Sequence, residues 1–110
     1  MKISILLPYK ENFSPTYPGA VSLFINDTIK SSKYKKFIKI YGNTDFKNKF
    51  KHKYKNINLK KIIFGSQNKK YVKQFIKIEK KRKSNLIELH NRPIYLKYLI
   101  KDLNDRKYIL

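Results

Sequence analysis

The chain has 110 residues, with 27 Lys plus Arg against 7 Asp plus Glu, a formal charge of +20 and no cysteine. That length allows one domain around one core, and the 41% hydrophobic fraction suffices to fill it. The missing cysteines exclude disulfides, thiolate metal sites and cysteine nucleophiles.

The chain opens on a short apolar run, "KISILLPY" over residues 2–9, closed by a proline and lacking polar alternation. That pattern predicts a strand buried on both faces. Its apolar part, Ile3 to Leu7, is far shorter than the about 7–15 residues of a signal peptide or the about 20 of a membrane span. The expected location is therefore the cytoplasm, with peripheral contact at the inner membrane face open to it through its lysines.

Residues 10–19, "KENFSPTYPG", carry Pro15, Pro18 and Gly19 without periodicity and predict a long loop, a length that often accompanies function. From Ala20 to Ser32 apolar residues recur at three and four (Val21, Phe24, Ile25, Ile29), with Thr28 on the same face and Asn26, Asp27 and Lys30 opposite; this predicts an amphipathic helix. Residues 35–43, "KKFIKIYGN", alternate Phe or Ile with lysine and end at Gly42-Asn43, which predicts a second strand.

Residues 44–58 read as a loop with helical turns, because Phe46, Phe50 and Tyr54 are spaced by four among many Asn and Lys. "LKKIIFG", residues 59–65, reads as a strand, and Val72, Phe75, Ile76 and Glu79 form one stripe of a helix over 68–83. "NLIELH", residues 85–90, reads as a further strand with Leu86, Glu88 and His90 on one face. Pro93 then opens a helix through Tyr95, Tyr98, Leu99 and Leu103 to about Asn104, and "KYIL" begins another strand. Strands alternating with helices of this length predict an α/β fold: a Rossmann-like open parallel sheet with flanking helices.

The charge has two readings. A basic surface gains affinity for polyanions by releasing condensed counterions. Arginine, however, occurs only at Arg82, Arg92 and Arg106, whereas base readout leans on arginine's fork. Abundant Lys with Ile, Asn, Tyr and Phe is also the mark of an AT-rich coding sequence. Contact with an anionic membrane or with nucleic acid stays open on this basis, with nucleic acid the weaker of the two.

In an open parallel sheet, ligands collect beyond the carboxyl ends of the strands. Two stretches fall there. Tyr17-Pro18-Gly19-Ala20 precedes the first helix, where glycine lets backbone approach a ligand and the helix N-terminus favours an anion; an ordinary turn explains the same residues. Neither GxGxxG nor a P-loop is present. Glu88, His90, Asn91 and Arg92 gather at the end of "NLIELH", where Glu88 and His90 could form a hydrogen-bonding pair toward sugar hydroxyls and His90 could exchange a proton. The alternative is that Glu88 pairs with a lysine and Asn91 caps the next helix. His52 and His90 have no ligand partners at a metal-binding spacing, so no metal is expected.

Taken together, "KISILLPYKENFSPTYPGAVSLFINDTIK" and "LIELHNRPIYLKYL" resemble the N-terminal domain of GT-B glycosyltransferases, the large group that includes family four. The resemblance is firm at the two ends of the chain and vague over residues 44–70. It implies transfer of a sugar from a nucleotide-sugar, as substrate and without other cofactor, to a glycan, lipid or small-molecule acceptor. Gly19 and Ala20 match the loop that approaches the donor diphosphate, and Glu88, His90, Asn91 and Arg92 match an acceptor-side turn. The family's second, donor-binding domain has no counterpart here, so the resemblance implies an incomplete N-terminal half that catalyses no transfer alone. The alternative function is a small basic α/β protein that binds nucleic acid or an anionic membrane surface.

Overall fold

The computed structural model of the chain describes residues 1–60 and 65–110. Among the described residues five strands form one sheet: β1 (Ile3–Leu6), β2 (Ile38–Gly42), β3 (Tyr54–Asn56), β4 (Leu86–Leu89) and β5 (Lys107–Ile109). All neighbours are parallel, in the order β3-β2-β1-β4-β5. Three helices flank the sheet: α1 (Ala20–Lys30), α2 (Gln67–Arg82) and α3 (Pro93–Asp102). The fold is an α/β open sheet of Rossmann-like type, as the alternating pattern predicts.

β1 lies in the centre, which is why every residue of "ISIL" is buried and the strand shows no polar alternation. Strand alternation then sorts side chains to two faces. Leu6, Tyr41, Ile87 and Leu89 meet Tyr71, Val72 and Phe75 of α2 and Tyr95 and Leu99 of α3 in one core. Ile5, Leu7 and Ile40 meet Val21, Ile25 and Ile29 of α1, together with Phe13, in the other. Each fully buried large apolar side chain contributes about 1.5–3 kcal/mol relative to exposure.

α2 begins on Ser66, whose hydroxyl accepts from the Lys69 N–H at 3.3 Å, and ends on Lys83 in the left-handed conformation after Lys80, Lys81 and Arg82. A terminal run of cations complements the helix dipole, the ordinary role of "KKRK". Glu79 lies on the buried stripe of α2, as its spacing predicts, and is wholly inaccessible. Its carboxylate accepts from Ser4 Oγ at 2.8 Å and from the Ser84 N–H at 3.1 Å, as well as from Ser84 Oγ. The Arg106 guanidinium lies 3.5 Å away and also donates to the Glu79 carbonyl at 2.8 Å. Arg82 donates to Ser4 Oγ at 3.0 Å and to the Ile3 carbonyl at 3.0 Å. This network ties α2 to the amino ends of β1, β4 and β5.

Three expectations need correction. Phe24 is 59% exposed, while Ser22 and Asn26 are buried. Both polar residues are claimed from outside the helix: Ser22 by Glu11, and Asn26 by His52, whose Nε2 lies 3.0 Å from Asn26 Oδ1. Thr28 is exposed and donates back to the Phe24 carbonyl. β2 starts at Ile38, because Lys35–Phe37 form a 3₁₀ turn.

The third correction is a strand, β3, in a segment whose aromatic spacing suggested helical turns. Phe50 and Tyr54 reach the α1-side core instead, packing on Phe13 with ring centroids 5.1 and 5.4 Å away. The strand expected over residues 59–65 is described only at its two ends. Its residues 61–64 lie outside the described residues, and Leu59 and Lys60 belong to no strand.

Candidate functional site

The chain runs from β1 outward through β2 to β3, then returns to the other side of β1 for β4. The topological switch point is therefore the gap between the carboxyl ends of β1 and β4, where open α/β sheets bind ligands. The loops after these two strands, residues 7–19 and 90–92, flank it.

Glu88 and His90 come together there. Glu88 sits on the α1 side of β4, in register with Ile5 and Ile109. Its Oε2 is 2.7 Å from His90 Nε2, with the histidine side chain 19% and the carboxylate side chain 28% exposed. Phe24 of α1 meets the imidazole edge-on at a centroid distance of 6.2 Å. The pair is thus half-buried, held by an aromatic wall, and still open to solvent.

Asn91 and Arg92 are exposed, and Arg92 Nη1 donates to the Asn91 carbonyl at 2.8 Å. Asn91 adopts a left-handed φ of 55°, a conformation its short polar side chain tolerates. The alternative in which Asn91 caps α3 does not hold: Arg92 takes the N-cap position, makes no side-chain cap bond, and Pro93 opens the helix. The alternative lysine partner for Glu88 is likewise replaced by His90.

The N-terminus of α1 holds an anion supplied by the chain itself. Glu11 Oε2 accepts from the Ser22 N–H at 3.2 Å and from Ser22 Oγ at 2.7 Å. A carboxylate at this position complements the helix dipole and satisfies an end-of-helix donor. Gly19 is the N-cap, and a Cβ placed on it would stand 1.7 Å from the same Glu11 oxygen. The close approach here is between glycine and an internal carboxylate. A diphosphate directed at Gly19 and Ala20 meets that charge first.

Two buried tyrosines fix the loop after β1. Tyr71 Oη donates to the Leu7 carbonyl at 2.7 Å, and Tyr95 Oη accepts from the Tyr9 N–H at 3.0 Å while donating to Asn68 Oδ1 at 2.6 Å. Burial raises both phenol pKa values, strongly for Tyr71; for Tyr95 the Tyr9 N–H and the nearby Arg92 charge oppose the rise without cancelling it. Both stay neutral donors in the ordinary pH range. On the β2 side of β1 a cleft of about 870 Å³ opens between Tyr9, Asn12, Thr44 and Asp45. Thr44 Oγ1 donates across it to Asn12 Oδ1 at 2.8 Å.

Sequence reasoning missed Glu11, Tyr71 and Tyr95. Glu11 is the one acid of the long loop, a signal visible in the sequence, but its target lies 11 residues on at Ser22 and only the loop's path joins them. His52 and His90 occupy separate places, against Asn26 and Glu88 respectively. Among the described residues no group of three or more His, Cys, Asp or Glu is arranged to hold a metal ion, and no helix is long and apolar enough to cross a membrane. No family model, no curated protein and no solved structure matches the chain.

Proposed function

We propose that the chain is a domain of the nucleotide-sugar-dependent glycosyltransferase type, and that its switch-point crevice binds the hydroxyls of an acceptor. The observation that carries the reading is the Glu88–His90 pair at 2.7 Å, set at the carboxyl edge of a parallel sheet beside the switch point. In the tautomer in which Nε2 donates to Glu88, the ring keeps Nδ1 as its acceptor, the arrangement that takes a proton from a hydroxyl. Glu88 then orients the imidazole and offsets the charge that develops on it. Arg92 and Asn91 supply donors at the crevice mouth. Gly19 and Ala20 serve a donor diphosphate in this reading only when the Glu11 carboxylate swings away from Ser22.

The test is a titration of the purified, isotope-labelled chain with free oligosaccharides and with UDP-glucose, followed through its backbone amides. Saturable shifts at Glu88, His90, Asn91 and Arg92 are expected with an oligosaccharide, and their loss in a Glu88→Gln/His90→Ala variant. A panel in which no sugar moves these amides, or moves them equally in the variant, sinks the proposal.

A further inference from the structure

The seven carboxylates and the many lysines are not mixed evenly. Around the amino end of β2 three depressions adjoin one another. The first, about 710 Å³, is lined by Lys33, Lys35, Lys36, Lys51 and Lys53. Its remaining walls are Ile29, Ile38 and His52. The second, about 200 Å³, shares Lys36 and Lys53 with the first and adds Lys2 and Arg82. The third, about 460 Å³, shares Arg82 with the second and adds Lys39, Lys55, Lys77 and Lys81. None of the chain's seven Asp and Glu lines any of them. Asp45, Asp102 and Asp105 line clefts elsewhere, and Glu79 is wholly buried under Ser4, Ser84 and Arg106.

The three depressions make a belt that turns a corner. Ile38 and Lys39 are consecutive in β2 and point to opposite faces of the sheet. The first depression therefore opens beside α1, whereas the third opens beside α2, with Lys55 in register with Tyr41. The second joins them around the strand ends. Like charges crowd the belt: burial depresses the Lys39 pKa most, and Arg82, Lys55 and Lys53 depress it further. His52 is depressed first by burial and then by Lys35, and its Nδ1 has no hydrogen-bond partner among the described residues. A cation-only surface with these repulsions is stabilised by an anion that follows it.

We infer that this belt binds a flexible linear phosphate polyanion, gripped through its phosphates and wrapped from the α1 face to the α2 face. The shape selects the partner. A flat membrane reaches one face of the sheet at a time, and a stiff duplex does not bend around a strand end of this size. Lysines act as point charges on phosphate rather than as a base-reading fork. Of the aromatic rings at the belt Tyr41 is buried, while Phe37 and the exposed Tyr34 each lie under a lysine, Lys36 and Lys33, so none stands as the open row of rings on which single-strand binders stack bases. This site lies at the opposite end of the sheet from the Glu88–His90 crevice and does not depend on it.

The test measures binding of the full chain to a single-stranded oligothymidylate of about 20 nucleotides and to inorganic polyphosphate. Affinity for both is expected to fall at least about a hundredfold between about 50 and 200 mM salt. A Lys36→Glu/Lys53→Glu variant, reversing the two lysines shared between depressions, is expected to lose tenfold or more in affinity. A milder Lys36→Gln/Lys53→Gln variant covers the case in which the reversal disturbs folding. Equal binding of the two probes identifies the phosphate chain as the ligand, and a strong preference for the oligonucleotide identifies single-stranded nucleic acid as its source. The inference is overturned by an equal loss in Lys97→Glu/Lys101→Glu on the exposed face of α3, which would mean diffuse charge. Tighter binding of a duplex, or of phosphatidylglycerol vesicles weakened by the same belt reversals, overturns it as well.

Discussion

Glu79 and Glu88 stand at opposite ends of the same parallel sheet, and they are treated differently. Glu79, at the amino end, is inaccessible, with its oxygens taken by Ser4, Ser84 and Arg106. Glu88, at the carboxyl end, keeps 28% of its side chain exposed and has His90 as its one partner among the described residues. A buried charge must be fully compensated or its desolvation opposes folding, so the amino-end network holds the structure and has no capacity left over. The carboxyl-end pair leaves capacity for a ligand. The lesson is that placement at one end of the sheet or the other, rather than residue type, separates the enclosed acid from the accessible one.

The sharpest way to break this comparison is to remove each acid in turn. Glu79→Ala leaves Ser4 Oγ and the Ser84 N–H without their buried acceptor and Arg106 without its counter-charge, and is expected to cost about 3–5 kcal/mol. Glu88→Ala, at a partly exposed pair, is expected to cost less than about 1 kcal/mol. Urea unfolding of the two variants measures both, and equal losses would dissolve the distinction.

A smaller effect is expected at the α1 N-terminus. Gly19→Ala places a methyl where Glu11 Oε2 now lies, so the carboxylate must leave Ser22. Its cost should match that of Glu11→Ala, about 0.5–2 kcal/mol, the range for losing a helix cap. Because both changes delete the same contact, the double variant should lose no more than either single one. Additive losses would show that Gly19 is needed for some other reason.

The smallest effect is a pH slope from the amino end. His52 titrates below its ordinary value of 6.5 because it is buried and faces Lys35. The unfolded chain then binds the proton more readily than the folded one, so stability is full above about pH 6.5 and falls as the pH drops below it. His52→Gln should flatten that fall between about pH 7 and 5, read from urea midpoints at each pH. An unchanged slope would place the titrating group elsewhere.

Much of the fold was legible where the chain has one dominant signal. The apolar run of β1, the stripe of α2 and the Pro93 start of α3 each follow from local pattern and burial together. β3 was not legible, because "YKN" has no apolar alternation of its own and Tyr54 continues the spacing of Phe46 and Phe50. That spacing serves an aromatic cluster on Phe13, a tertiary contact that imitates a helix face. Asn26 and Phe24 exchanged their expected sides for a similar reason: His52 arrives from another loop to satisfy the buried amide, and Phe24 is drawn to the His90 ring. At the site, the Glu88–His90 pairing follows from the strand period alone. The Glu11 contact depends on the path of a long loop, which no local pattern encodes.

The central place of β1 has a further consequence, for the order in which the molecule is made. Ile3 pairs in register with Ile38 on one side and with Leu86 on the other. Until Leu86–Leu89 has left the ribosome, β1 has an unpaired edge and half of its apolar surface lacks the strand and helices that cover it. Parallel pairings this distant in sequence close slowly. An unpaired apolar edge is the feature that makes a partly folded chain prone to pair with another copy. A net charge of +20 opposes that pairing by repulsion between copies.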